Sequence, residues 1–244
     1  MKAFDFLKSL HERLVPLAES IVFDKTATVD LHRLSLYGSL IEFAGGICTL
    51  LENQANIGVT SLLRSFIESY VELENLIRDP DYVKNMESSY SAEWLKVLKA
   101  AKAGGNPYLA GVAKSLDLDD QIEKHEGRLQ ELRKCGRPVL SIFAKFKAAG
   151  MEEEYRSLYN MLSSDAHSNM RALLGRHVEA SGDDFDVVYY KDISLKACIY
   201  VLDTTAGLLV GISMKIHAQY ASPNQDQVNQ LHNELTNLRK EYAA

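Results

Sequence analysis

Apolar residues recur at intervals of three and four through long stretches of the chain, a spacing that lays them along one face of an α-helix. The pattern predicts helices over about 3–23, 29–53, 57–78, 81–103, 118–134, 138–149, 151–168, 192–220 and 224–242. Prolines at positions 16, 80, 107, 138 and 223 punctuate these stretches, and Gly104-Gly105, Gly136 and Gly150 mark three of the stops. Asp79-Pro80 and Ser222-Pro223 each join a side chain able to cap a first turn to a ring whose missing N–H is not needed there. Residues 177–190 break the pattern. The turn-like Ser181-Gly182-Asp183-Asp184, followed by Phe185, Val187 and Val188, fits either a small β-hairpin or an irregular loop folded over the bundle. The chain is therefore predicted to be all-α, a multi-helix bundle forming a single domain over 1–244. A charged helical arm is expected at 104–136 and an amphipathic helix at 224–242.

Composition narrows the partners. With 244 residues, 46% of them hydrophobic, the chain can bury a sizeable core. A net charge of −6 gives no global attraction for nucleic acid or an anionic membrane, so any phosphate contact would need a local basic patch. Cys48, Cys135 and Cys198 are too far apart for a disulfide framework or a structural zinc site, and reduced thiols fit a cytoplasmic location. The N-terminal residues mix Asp5, His11 and Glu12 into the apolar ones and lack the uninterrupted run of a signal peptide. The apolar stretch from Ala197 to Met214 contains Asp203, Thr204 and Thr205, each of which would need a partner in lipid. A buried bundle helix is expected there, and no membrane.

Two helices carry polar stripes. On the helix of residues 57–78, Thr60, Ser61, Arg64, Glu68 and Asn75 lie opposite Val59, Leu63, Phe66, Tyr70, Leu73 and Ile77. Arg64 and Glu68, one turn apart, read either as a solvated ion pair or as charges turned into an internal pocket. On the helix of residues 151–168, Arg156, Asn160, Ser163 and His167 follow one another at steps of four, three and four. If the two stripes meet, an arginine, a histidine, a carboxylate and hydroxyls converge, a set suited to binding an anion or moving a proton.

Arg64-x-x-x-Glu68 followed by Tyr155, Tyr159 and Ser163-x-x-x-His167 resembles an uncharacterised group of helical bacterial proteins that carry only a domain-of-unknown-function label. The resemblance covers roughly residues 30–180 and implies an all-helical fold with a shared polar site at Arg64, Glu68, Ser163 and His167, in a stress or defence setting. Related sequences often place a proline after the histidine, where this chain has Ser168. Arg171-ALLGR-His177 is similar in spacing to the HEPN ribonucleases, which implies paired subunits and a histidine acting on an RNA 2′-hydroxyl without metal. This chain departs from that motif at Ala172, and Gly175 with the hairpin argues against a regular helix through Arg171 and His177.

Other chemistries lack their residues. No Glu-x-x-His or His-Glu-x-x-His occurs, and Asp165 and His167 diverge by about 200° on a helix, so no metal is expected. A serine within a helix lacks an oxyanion hole, which sets Ser163 aside as a nucleophile. No phosphate-loop motif is present, and no nucleotide cofactor is expected. Gly45-Gly46, and Gly207 with Gly211, read as places where helices approach closely.

Trp94 and the tyrosines show no interleaving with basic residues and read as core or rim. Val228, Leu231, Leu235, Leu238 and Tyr242 form a seam that packs either on the chain's own bundle or on a twin subunit, and the charged arm offers another. The function predicted is a binding or regulatory module that takes an anionic small ligand or a protein partner at Arg64, Glu68, Asn160, Ser163 and His167. The alternatives are a metal-independent ribonuclease using His167 or His177 with Arg156 or Arg171, and a purely structural interaction protein.

Overall fold

A computed structural model of the chain describes residues 2–55, 58–115, 117–166, 169–182, 184–189, 195–196 and 198–243. In chain order the elements are α1 (Lys2–Glu19), α2 (Thr28–Glu52), α3 (Val59–Arg78), α4 (Val83–Ala103), α5 (Ala110–Ser115), α6 (Leu118–Lys134), α7 (Ile142–Ala148), α8 (Glu152–Glu154), a π-helical turn (Tyr155–Tyr159), α9 (Asn160–Ala166), α10 (Met170–His177), β1 (Val178–Ser181), β2 (Asp184–Val187), α11 (Ile199–Gln219) and α12 (Gln225–Ala243). They form two compact units, one of Met1–Glu74 with Met151–Ala244 and the other of Asn75–Gly150. Helix dominates, as the hydrophobic pattern predicts, and the only sheet among the described residues is the β1–β2 hairpin, one of the two alternatives the sequence leaves open for 177–190.

The first unit is organised by α11, which packs against α1, α2 and α12. Its inward face carries Leu202, Ala206, Leu209, Val210, Ile212 and Ile216, all nearly inaccessible. α2 and α11 are long and apolar enough to cross a membrane by length and composition. Two buried hydroxyls of α11 are satisfied within the helix, Thr205 Oγ1 donating to the Val201 carbonyl at 2.7 Å and Ser213 Oγ to that of Leu209 at 2.6 Å. Tyr37 of α2 donates to Ser213 at 2.9 Å, and burial pushes its phenol up to about 12. α1 contributes Leu7, Leu10, Leu14 and Leu17, the helical spacing of its apolar face.

Gly45 lies against α1, where a Cβ would stand 2.5 Å from His11 Nε2, so the close approach expected of Gly45-Gly46 is present. Gly207 differs. Its missing side chain makes room for the Arg239 guanidinium, while Gly211 faces open space, so this pair is not a helix-crossing point. Arg239 reaches back from α12 to Asp203, with Nε at 2.7 Å from the carboxylate.

The second unit pairs α4 with α6. The turn after α6 is tied to α4: Asn85 donates to the Pro138 carbonyl at 2.9 Å, Ser88 to that of Arg137 at 2.6 Å, and Arg137 pairs with Asp79 at 2.6 Å. These tethers hold 138–141 out of the helix predicted from residue 138, and Ser141 caps α7 by accepting from Ala144 N. Asp79 caps the short 3₁₀ turn at Pro80 in the manner the sequence indicates.

α10 is a helix the periodicity missed. Asn169 caps it by accepting from Ala172 N at 2.9 Å, and Gly175 is absorbed at roughly 1 kcal/mol of propensity. The helix therefore runs regularly from Arg171 through His177, and the hairpin begins one residue later than expected. Val178 pairs with Val187 and Ala180 with Phe185, so one face is apolar, while Glu179 opposite Asp186 makes the other acidic. The predicted helices starting at 57 and 192 extend into residues outside those described.

Candidate functional site

The polar stripe of α3 and the π-helical turn meet in the first unit. Arg64 Nε donates to Glu68 Oε1 at 3.0 Å, the i,i+4 pair expected from spacing. Tyr159 makes it a three-residue cluster: its hydroxyl donates to the same Glu68 oxygen at 2.7 Å and accepts from Arg64 Nη2 at 3.2 Å. The guanidinium also lies over the Tyr159 ring, 5.4 Å from its centroid, within cation–π range. Tyr155 stacks on Tyr159 at 5.4 Å with the rings inclined by 18°.

The two tyrosines are the first and last residues of the π turn. Such turns recur at functional sites because they re-aim side chains.

Burial and the Glu68 carboxylate raise the Tyr159 phenol above its ordinary value, so it remains a donor at neutral pH. Burial opposes the charge on Arg64, but Tyr159 and Glu68 outweigh it and hold the guanidinium more firmly protonated than usual. The site is still reachable, with the Arg64 side chain 24% and that of Glu68 39% exposed. Glu68 Oε2 has no hydrogen-bond partner among the described residues.

The remaining candidates divide. Ser163 sits half-buried on α9, one turn beyond Tyr159, and no hydrogen bond joins it to Arg64 or Glu68 among the described residues. Asn160 is exposed, with its amide toward its own helix at the Arg156 carbonyl, 3.4 Å away. Arg156 is exposed beside Glu153. His167 lies outside the described residues. Arg171 pairs with Asp165 at 3.0 Å, and His177 Nδ1 meets the Val188 carbonyl at 3.0 Å, so neither engages the other.

Residues 32–186, more than half of the chain, match a family described only as one of unknown function, DUF5677. The chain belongs to this family. The DUF5677 region contains Arg64, Glu68 and the whole π turn, together with α10 and all of the hairpin but Val187. No curated protein and no solved structure matches the chain.

Two features of this DUF5677 protein escape the helical pattern. Tyr159 lies 91 residues from Glu68, and its tyrosine type signals a site only through the motif with Ser163. Glu74 of α3 is an acid only 3% exposed; it accepts from Tyr70 at 2.8 Å and pairs with Lys215 of α11. Among the described residues no group of three or more histidines, cysteines or acids could hold a metal.

Proposed function

We propose that the chain is a ligand-binding module whose polar site is Arg64, Glu68 and Tyr159, and that its ligand is a small anion carrying its own hydrogen-bond donor. The observation that carries this reading is the sharing of one Glu68 oxygen by Arg64 and Tyr159. That sharing fixes the guanidinium and carboxylate side by side and leaves Oε2 to accept from a ligand. A pre-ordered pair loses little side-chain freedom on binding, which favours recognition. An α-hydroxy carboxylate fits the pair, its carboxylate beside the Arg64 charge and its hydroxyl donating to Glu68.

The test compares glycolate with acetate by isothermal titration. Saturable binding of glycolate, at least tenfold tighter than acetate and lost in Arg64→Gln, is expected, and Tyr159→Phe should weaken it several-fold. Equal affinity for the two acids, or an unchanged affinity in Arg64→Gln, would refute the site.

A second reading, a metal-independent ribonuclease, draws on His177. A carbonyl can only accept, so the Val188 contact places the ring proton on Nδ1 and leaves Nε2 with the lone pair a general base needs. Arg171 stands six residues earlier, about 120° around the helix and about 9 Å along it, so the two do not converge on one phosphate within a chain. RNA cleavage in EDTA that persists in His177→Ala would remove this reading, and cleavage lost in that variant would displace the binding module.

A further inference from the structure

In the second unit a groove of about 730 Å³ runs between α4 and α6, within the size range of small-molecule sites. Tyr90, Ser91 and Trp94 line it from α4, and Gln121, Lys124 and His125 from α6. Two of these are buried polar groups without a protein partner. Ser91 is 2% and His125 7% exposed, yet neither makes a hydrogen bond among the described residues. Among the described residues the sealed polar atoms without a partner lie elsewhere, at His217 and Gln225; the Ser91 hydroxyl and the His125 ring, facing one groove from two helices, are placed to exchange water for the polar edge of a ligand.

The walls describe that ligand. The His125 ring is held edge-on to Tyr90, with centroids 5.9 Å apart, and Trp94 follows Tyr90 by one helical turn. Aromatic side chains of this kind offer flat faces to a flat ligand. Arg128 at the groove is already committed, with Nε and Nη2 on Glu87 at 2.6 and 2.7 Å and Nη1 on Glu131 at 3.0 Å. With Glu123 also on the rim, acids outnumber Lys124 and Arg128, an arrangement that disfavours phosphate or carboxylate. Burial, and then Lys124, lower the pKa of His125, so its neutral ring offers one N–H and one lone pair.

We propose that this groove binds an uncharged planar heteroaromatic molecule of the nucleobase class, with its ring against Tyr90 and Trp94 and its donor–acceptor edge against Ser91 and His125. The site is independent of the Arg64 cluster, and its success or failure leaves that reading untouched.

Trp94 is the only tryptophan of the chain, so its fluorescence reports this groove directly. The full chain is titrated with adenine, cytosine, guanine and uracil, then with the nucleoside and nucleoside triphosphate of the tightest base. Saturable quenching by at least one base is expected, with the triphosphate at least tenfold weaker than its nucleoside. Equilibrium dialysis should show at least a tenfold loss of affinity in Ser91→Ala and His125→Ala. Should His125→Ala lose its helical circular dichroism, Ser91→Ala alone decides. Absence of saturable binding by every base, a triphosphate that binds more tightly than its nucleoside, or unchanged affinity in Ser91→Ala overturns the proposal.

Discussion

His217 is fully buried on α11, with Nδ1 2.8 Å from Ser222 Oγ and its ring edge toward Tyr37 at 6.2 Å. Its Nε2 has no hydrogen-bond partner among the described residues. Burial lowers its pKa, as burial and then Lys124 lower that of His125. The unfolded chain takes up protons on both rings as pH falls through their ordinary value of 6.5, while the folded chain resists until lower pH. The stabilisation is therefore complete above that value and declines as pH falls below it. Urea unfolding followed by circular dichroism at pH 7.5 and 5.5 should show lower stability at the acid pH, with a smaller difference in His217→Gln. Equal differences in the two proteins would exclude His217 as a source of the effect. Single residues were legible in the sequence where their partner is local. The Arg64–Glu68 pair follows from spacing, whereas the Tyr159 bond, the Glu74–Lys215 pair and the burial of His217 depend on helices brought together from distant parts of the chain.

At the scale of elements, the turn that ends α7 has the strictest requirement. Gly150 adopts φ +70°, and a Cβ there would lie 3.0 Å from the Arg78 guanidinium. Left-handed backbone disfavours any side chain with a Cβ. Gly150→Ala should therefore destabilise the second unit by about 1–2 kcal/mol, read as a lower urea midpoint of Trp94 fluorescence; an unchanged midpoint would contradict the strain. Helices were largely legible because their apolar faces repeat, and their ends because glycine and proline act locally. The exceptions have physical causes. Tethers from Asn85 and Ser88 delay α7, a cap at Asn169 starts a short α10 whose Met170, Leu173 and Leu174 face outward, and the π turn leaves no mark in a pattern of apolar spacing.

For the whole molecule, helical content was written in the hydrophobic pattern and a hairpin was one of two readings it allowed, but the division into two units was not legible there. A core shared by distant segments leaves no composition change at its edges. The first unit joins residues 1–74 to residues 151–244, and its ion pairs Arg13–Glu234 and Lys2–Glu241 connect opposite ends of the sequence. The second unit is contiguous. During synthesis at about 5–20 residues per second, all of its segments are available while α1 and α2 still lack α11. Roughly ten to forty seconds separate the emergence of α1 from that of its last partners at this rate. Throughout that interval α1 has α2 to pack on but neither α11 nor α12, so the part of its leucine face that those helices cover stays open to water until the far end of the chain arrives.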